Sequence, residues 1–151
     1  MTGARDLQAM MAITVDARLD SLSDIGRHVD AASQAAGLSR QQAYNLRLAV
    51  DEVATNIIVH GYEQSGISGT LLVRTETTDE AVTVTLEDSG PEFDPRGRAM
   101  PSEEELAKPL DQRNIGGLGI FLALKSVDEF HYERRGDTNL NTFSMRRTAG
   151  G

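Results

Sequence analysis

Apolar positions in this chain recur with two different periods, and their succession predicts its elements. From Leu46 to Tyr62 the sequence reads LRLAVDEVATNIIVHGY. Leu46, Ala49, Val50, Val53, Ala54, Ile57 and Ile58 recur at three- and four-residue spacing, which predicts an amphipathic helix with a wide apolar stripe. Ser39, with Gln42 in capping-box position, starts this helix; it is expected to run to about His60 and to be closed by Gly61. A preceding stripe of Leu22, Ile25, Val29, Ala32 and Ala36 predicts a helix with Ser21 as N-cap and Gly37 as its end. A third helix is expected from about Leu118, after a run of glycines.

A period of two marks the strands. Met11–Leu19 alternates loosely and predicts the first. Thr70–Thr77 and Ala81–Leu86 alternate β-branched and polar residues and predict a hairpin. Glu129–Arg134 and Asn139–Arg146 predict two more strands joined by a Gly-Asp turn. Between these groups, residues 96–114 turn polar, charged and proline-bounded, with a short helix expected at Ser102–Ala107. A segment of that length inside a compact domain is usually functional or disordered, and a mobile lid is expected at about 96–115. The order strand, two helices, two strands, lid, helix, two strands implies an α+β two-layer sandwich. Its sheet is expected to be mixed, mostly antiparallel, and covered on one face by helices. Residues 10–147 are expected to form one domain, with 1–9 a mobile start and 148–151 a frayed end.

Charge and composition narrow the function classes. Lys and Arg number 15 against 23 Asp and Glu, a net charge of −8. That argues against direct nucleic-acid or anionic-membrane binding, which needs basic patches. With no cysteine there are no disulfides, thiol chemistry or cysteine-ligated zinc, and the 3 histidines are scattered. No apolar run approaches the ~20 residues of a membrane helix, and a cytoplasmic protein is the default expectation. A polyanionic ligand would have to be held by a local device: backbone amides, a helix N-terminus or a cation.

Three stretches have residue types suited to chemistry. Glu52 and Asn56 lie four apart on one helix face flanked by apolar positions, so a carboxylate and an amide sit together at the core's edge. Most such pairs are plain solvated surface. Asp88-Ser89-Gly90, followed by Phe93-Asp94-Pro95, ends a strand; a strand-end Asp can accept from an exocyclic amine, and Gly90 would let a flat ring approach the backbone. The bland alternative is an Asx-type turn. Gly116-Gly117-Leu118-Gly119 opens a helix whose free amides could hold phosphate, or it is a flexible joint. It is neither a Walker loop nor a dinucleotide fingerprint.

In this order, with a lid-like segment between them, the three motifs resemble the GHKL ATPase superfamily and its Bergerat-type ATP-binding fold. The match is nearest to the bacterial anti-sigma-factor serine/threonine kinases. LAVDEVATNIIVHGY resembles the N-box, EDSGPEFDP the first glycine box and GGLGIFLALKSVDEF the second, and the likeness covers about residues 10–147. The resemblance implies ATP/ADP and Mg²⁺ as cofactors. It implies Asn56 as the magnesium ligand, Glu52 as general base and Asp88 as reader of the adenine amine. Gly90, Phe93, Gly116, Gly117, Leu118 and Gly119 would contact the nucleotide, and Arg113 would reach the γ-phosphate. Pro91-Glu92 stands where many relatives carry a further glycine, a form found in the serine-kinase branch.

By resemblance the chain is expected to phosphorylate a serine or threonine of a STAS-domain anti-anti-sigma factor and to sequester a sigma factor. A homodimer is expected, as relatives are commonly dimers. The alternative is a nucleotide-binding regulatory module without significant catalysis; keeping both Glu52 and Asn56 argues against it. A sensor histidine kinase fragment fits less well, because the IGRHVDAA context of His28 is unlike a phosphoacceptor helix.

Overall fold

The structure, a computed structural model describing residues 7–99 and 115–147, is an α+β sandwich of one sheet and a helical layer. Of the lid expected at about 96–115, residues 100–114, with Arg113 and the Ser102–Ala107 helix, lie outside the described residues, as do 1–6 and 148–151, while Arg96–Ala99 and Ile115 are helical. Five strands, β1 (Ala9–Asp16), β2 (Thr70–Thr77), β3 (Ala81–Asp88), β4 (Glu129–Arg135) and β5 (Thr138–Arg146), pair in the order β1-β2-β3-β5-β4. Every neighbouring pair is antiparallel, so the described sheet is more uniform than the mixed one expected. The β4–β5 hairpin turns at Gly136, whose φ of 61° suits glycine, as the Gly-Asp turn predicted.

Pleating sorts the side chains. Leu71 and Val73 on β2, Val82, Val84 and Leu86 on β3, and Phe143 and Met145 on β5 are buried on one face. They meet Ile25 and Val29 of α1 (Leu22–Ala35) and Leu46, Val50 and Val53 of α2 (Arg40–Asn56) in a single cluster. The opposite face is polar: Arg74 bonds Glu87 at 3.1 Å and Thr83 bonds Ser144 at 3.1 Å.

Local chemistry explains the helix starts. The Ser39 hydroxyl accepts from Gln42 N–H at 3.1 Å, while the Gln42 side chain accepts from Ser39 N–H at 3.0 Å, a complete capping box. Ser21 departs from expectation. Its side chain makes no cap bond, because a 3-10 turn over Leu19–Ser21 already leads the backbone into α1. That turn also shortens the first strand, which ends at Asp16 rather than reaching Leu19. The main correction concerns Gly61. The helix does not stop there but continues as a π-helical segment, Ile57–Glu63, in which Ile57, Ile58, Gly61 and Tyr62 are buried. Core burial of these residues outweighs the poorer hydrogen-bond geometry of wide turns, and the left-handed glycine comes later, at Gly66 with φ 69°.

A short helical turn, α3 (Arg96–Ala99), follows the β3 loop, and α4 (Ile115–Lys125) leads into β4. The helix expected from about Leu118 is already formed at Ile115, so the glycine run lies within its first turns.

Candidate functional site

α2 carries the first pair. Its regular turn puts Glu52 and Asn56 on one face, and Asn56 is 5% exposed. The Asn56 side-chain N–H donates to the Glu52 backbone carbonyl at 2.7 Å, a contact that turns the amide back along the helix. Its Oδ1 accepts no hydrogen bond from any described residue. Burial, and then the neighbouring Asp51 charge, push the Glu52 carboxyl above its ordinary pKa.

α4 comes up against Glu52 at Gly119. A Cβ added there would lie 2.9 Å from Glu52 Oε2, so the absence of a side chain is what lets the carboxylate and helix meet. The backbone of Gly116, Gly117 and Leu118 is helical just before it.

The second cluster forms where β3 ends. Asp88 Oδ1 accepts from Gly90 N–H at 2.9 Å, the Asx-type turn, and from the Asn139 amide at 2.9 Å. Asp88 Oδ2 is buried with no hydrogen-bond partner among the described residues. One oxygen therefore builds the turn and the other is left without a partner among the described residues. Burial raises the Asp88 pKa, opposed by Asn139, the Gly90 N–H, Arg134 and Tyr62.

Tyr62 joins the two clusters. The π-helical segment that begins after Asn56 carries its ring to the end of β3, where its hydroxyl accepts from Ser89 N–H at 3.1 Å. Burial and the Asp88 charge push the Tyr62 pKa up. Gly90 is small for a reason the sequence did not suggest: a Cβ there would be 3.1 Å from the Tyr62 ring and 3.2 Å from Asp88 Oδ1. Its close approach is to a tyrosine of this chain. Phe93 stacks on His60 of the same segment, with ring centroids 6.2 Å apart.

The hairpin β4–β5 braces the loop from behind. Arg134 donates to the Gly90 carbonyl at 2.8 Å, and Asn139 donates to those of Gly90 and Pro91 at 3.3 and 2.9 Å. Asn141, two residues along β5 on the same face, is completely buried, and neither of its amide atoms has a partner among the described residues. Sequence reading did not single out Asn139, Asn141 or Arg134. A signal existed: two asparagines alternate in a strand on the face shared with Phe143 and Met145, where apolar residues belong.

Among the described residues no group of three or more His, Cys, Asp or Glu could hold a metal ion. No described helix is long and apolar enough to cross a membrane.

Comparison with known proteins matches the sequence to a family. Residues 15–147 match the sequence profile described as histidine kinase-like ATPase domain. The serine-protein kinase RsbW of Bacillus licheniformis is 28% identical over 102 residues, 64% of this chain and 61% of that protein. RsbW of Staphylococcus epidermidis is 29% identical over 99 residues, 62% of this chain and 60% of its own. RsbW of Staphylococcus aureus is 26% identical over 97 residues with the same coverage. The match thus spans about three fifths of the length of these relatives. Among solved structures, the histidine kinase domain from the Erythrobacter litoralis EL346 blue-light activated histidine kinase aligns over 82% of this chain and 59% of its own. The TM-score is 0.48 and the identity 18%.

Proposed function

Since the chain belongs to the histidine kinase-like ATPase domain family, we propose that it is an ATP-dependent protein serine/threonine kinase acting as an anti-sigma factor. The observation that carries this reading is the α2 face. A half-buried carboxylate of raised pKa lies against Gly119 of α4, one turn before an amide whose oxygen has no hydrogen-bond partner among the described residues. A module that only bound nucleotide would have no use for the carboxylate.

In this reading Asp88 Oδ2 accepts from the adenine amine, gaining the hydrogen bond it lacks. Asn56 Oδ1 is the protein ligand to Mg²⁺, which offsets the charge of the phosphates against this acidic chain. Glu52 accepts or orients the proton of an attacking seryl hydroxyl. Its raised pKa brings it closer to the working pH, where a general base is most effective. The first-turn amides of Gly116 and Gly117 donate to phosphate at the start of α4, and Gly119 gives the Glu52 carboxylate room beside it. The relatives are named serine-protein kinases, so serine is the acceptor tested first. The acceptor is a STAS-type anti-anti-sigma partner, with a sigma factor as the competing partner.

Calorimetric titration of Mg-ATP into wild type, Asn56→Ala and Asp88→Asn tests the pocket. Wild type is expected to bind, and both variants to bind at least about tenfold more weakly while folded. No binding by wild type sinks the reading. Acid-stable phosphate on the partner then tests transfer; binding without transfer leaves a regulatory module instead of a kinase.

A further inference from the structure

Asn139 faces Asp88 directly across the β3–β5 ladder and is 1% exposed. Strands rarely bury an asparagine, and this one uses every polar atom it has. Its Nδ2 donates to Asp88 Oδ1, to Pro91 O and, more distantly, to Gly90 O. Its Oδ1 accepts from the Tyr132 hydroxyl at 2.6 Å and from Phe93 N–H at 3.4 Å. Two backbone carbonyls on one side and a backbone N–H on the other fix which end of the amide is nitrogen. The loop after β3, which has no ladder of its own, is thus tied at Asp88, Gly90, Pro91 and Phe93 by one side chain from a strand about fifty residues away, with Arg134 and Tyr62 adding one bond each.

We propose that Asn139 is a positioning residue that sets base selectivity. By holding Asp88 Oδ1 in the turn, it leaves Oδ2 as the carboxylate oxygen without a partner among the described residues, and so favours a purine with a 6-amine over one with a 6-oxo group. The inference rests on the nucleotide-binding reading above. A buried acceptor discriminates strongly only when its geometry is held, because a mobile carboxylate can rotate away from a mismatched partner at little cost. Without Asn139, Asp88 keeps the Gly90 N–H but is free to turn, and the carbonyls of Gly90 and Pro91 lose a donor.

The test compares ATP and GTP binding by calorimetry, with magnesium, for wild type, Asn139→Ala and Tyr132→Phe, alongside thermal unfolding. Wild type is expected to prefer ATP. Asn139→Ala should lose about tenfold or more in ATP affinity with little change for GTP, so that the ATP:GTP ratio collapses. Tyr132→Phe keeps the ring and removes only the hydroxyl that orients the amide. It should shift the ratio the same way by less, and it keeps the test decisive if Asn139→Ala does not fold. An unchanged ratio in the folded variants, including equal losses for both nucleotides, overturns the inference alone and leaves Asn139 as scaffolding. Failure of wild type to bind either nucleotide overturns the site reading and this inference together.

Discussion

The two ends of the candidate site differ in how firmly they are held. At the Asp88 end the carboxylate, Gly90, Pro91 and Phe93 are tied by Asn139, Arg134 and their own turn, and among the described residues the Asp88 Oδ2 and the Asn141 amide are left over. At the Glu52 end one side-chain bond, from Asn56 to a backbone carbonyl, sets the geometry. The Glu52 carboxylate makes no hydrogen bond to any described residue and rests against Gly119. A recognition group gains from being held before the ligand arrives, because little ordering remains to be done on binding. A group that must take and release a proton gains from keeping its lone pairs free. Under the proposed function the pattern is one of stiff recognition and loose chemistry, with the nucleotide supplying the remaining contacts at the loose end.

The largest expected effect comes from the loose end. Glu52→Gln keeps the shape and removes the base, so phosphotransfer should fall by about 10²–10⁴-fold while ATP affinity is largely kept. Parallel loss of affinity would show that Glu52 belongs to recognition, and the contrast between the ends would fail.

At the stiff end, Asp88→Asn should separate stability from binding. Burial holds the Asp88 pKa above its unfolded value, so the folded chain keeps that proton to higher pH than the unfolded chain does. This group's contribution to stability is therefore greatest at low pH. It declines as pH rises from the unfolded pKa through the folded one, and the cost of the buried charge is fully present above both. At neutral pH the variant should unfold at a higher temperature, with a flatter acid limb in its stability profile, even as ATP binding weakens. A lower melting temperature would mean that the charge is compensated better than its unpaired oxygen suggests.

The smallest change sharpens the junction between the halves. Gly119→Ala adds helix propensity of up to about 1 kcal/mol but places a Cβ against the movable end of Glu52. Melting temperature should hardly change while phosphotransfer drops several-fold. Equal activity in a turnover assay would show that the carboxylate can shift at no cost to function.

Much of this protein is decided by neighbours in sequence. The Ser39–Gln42 capping box, the alternation of β2 and β3, the Gly136 turn and the i, i+4 placement of Glu52 and Asn56 all depend on groups a few residues apart. Their hydrogen bonds and side-chain periods are local, so a linear pattern carries them. Tertiary structure decided the rest. The helix runs past Gly61 because Ile57, Ile58 and Tyr62 find a core to fill, and nothing within the helix announces that core. Gly90 owes its smallness to Tyr62, and Gly119 to Glu52, pairings set by packing between elements far apart in the chain. Asn139 reads as an oddity in its own strand until β5 inserts beside β3 and brings it opposite Asp88. A buried polar group can be justified only by its partner, and which partner it meets is settled when the sheet closes.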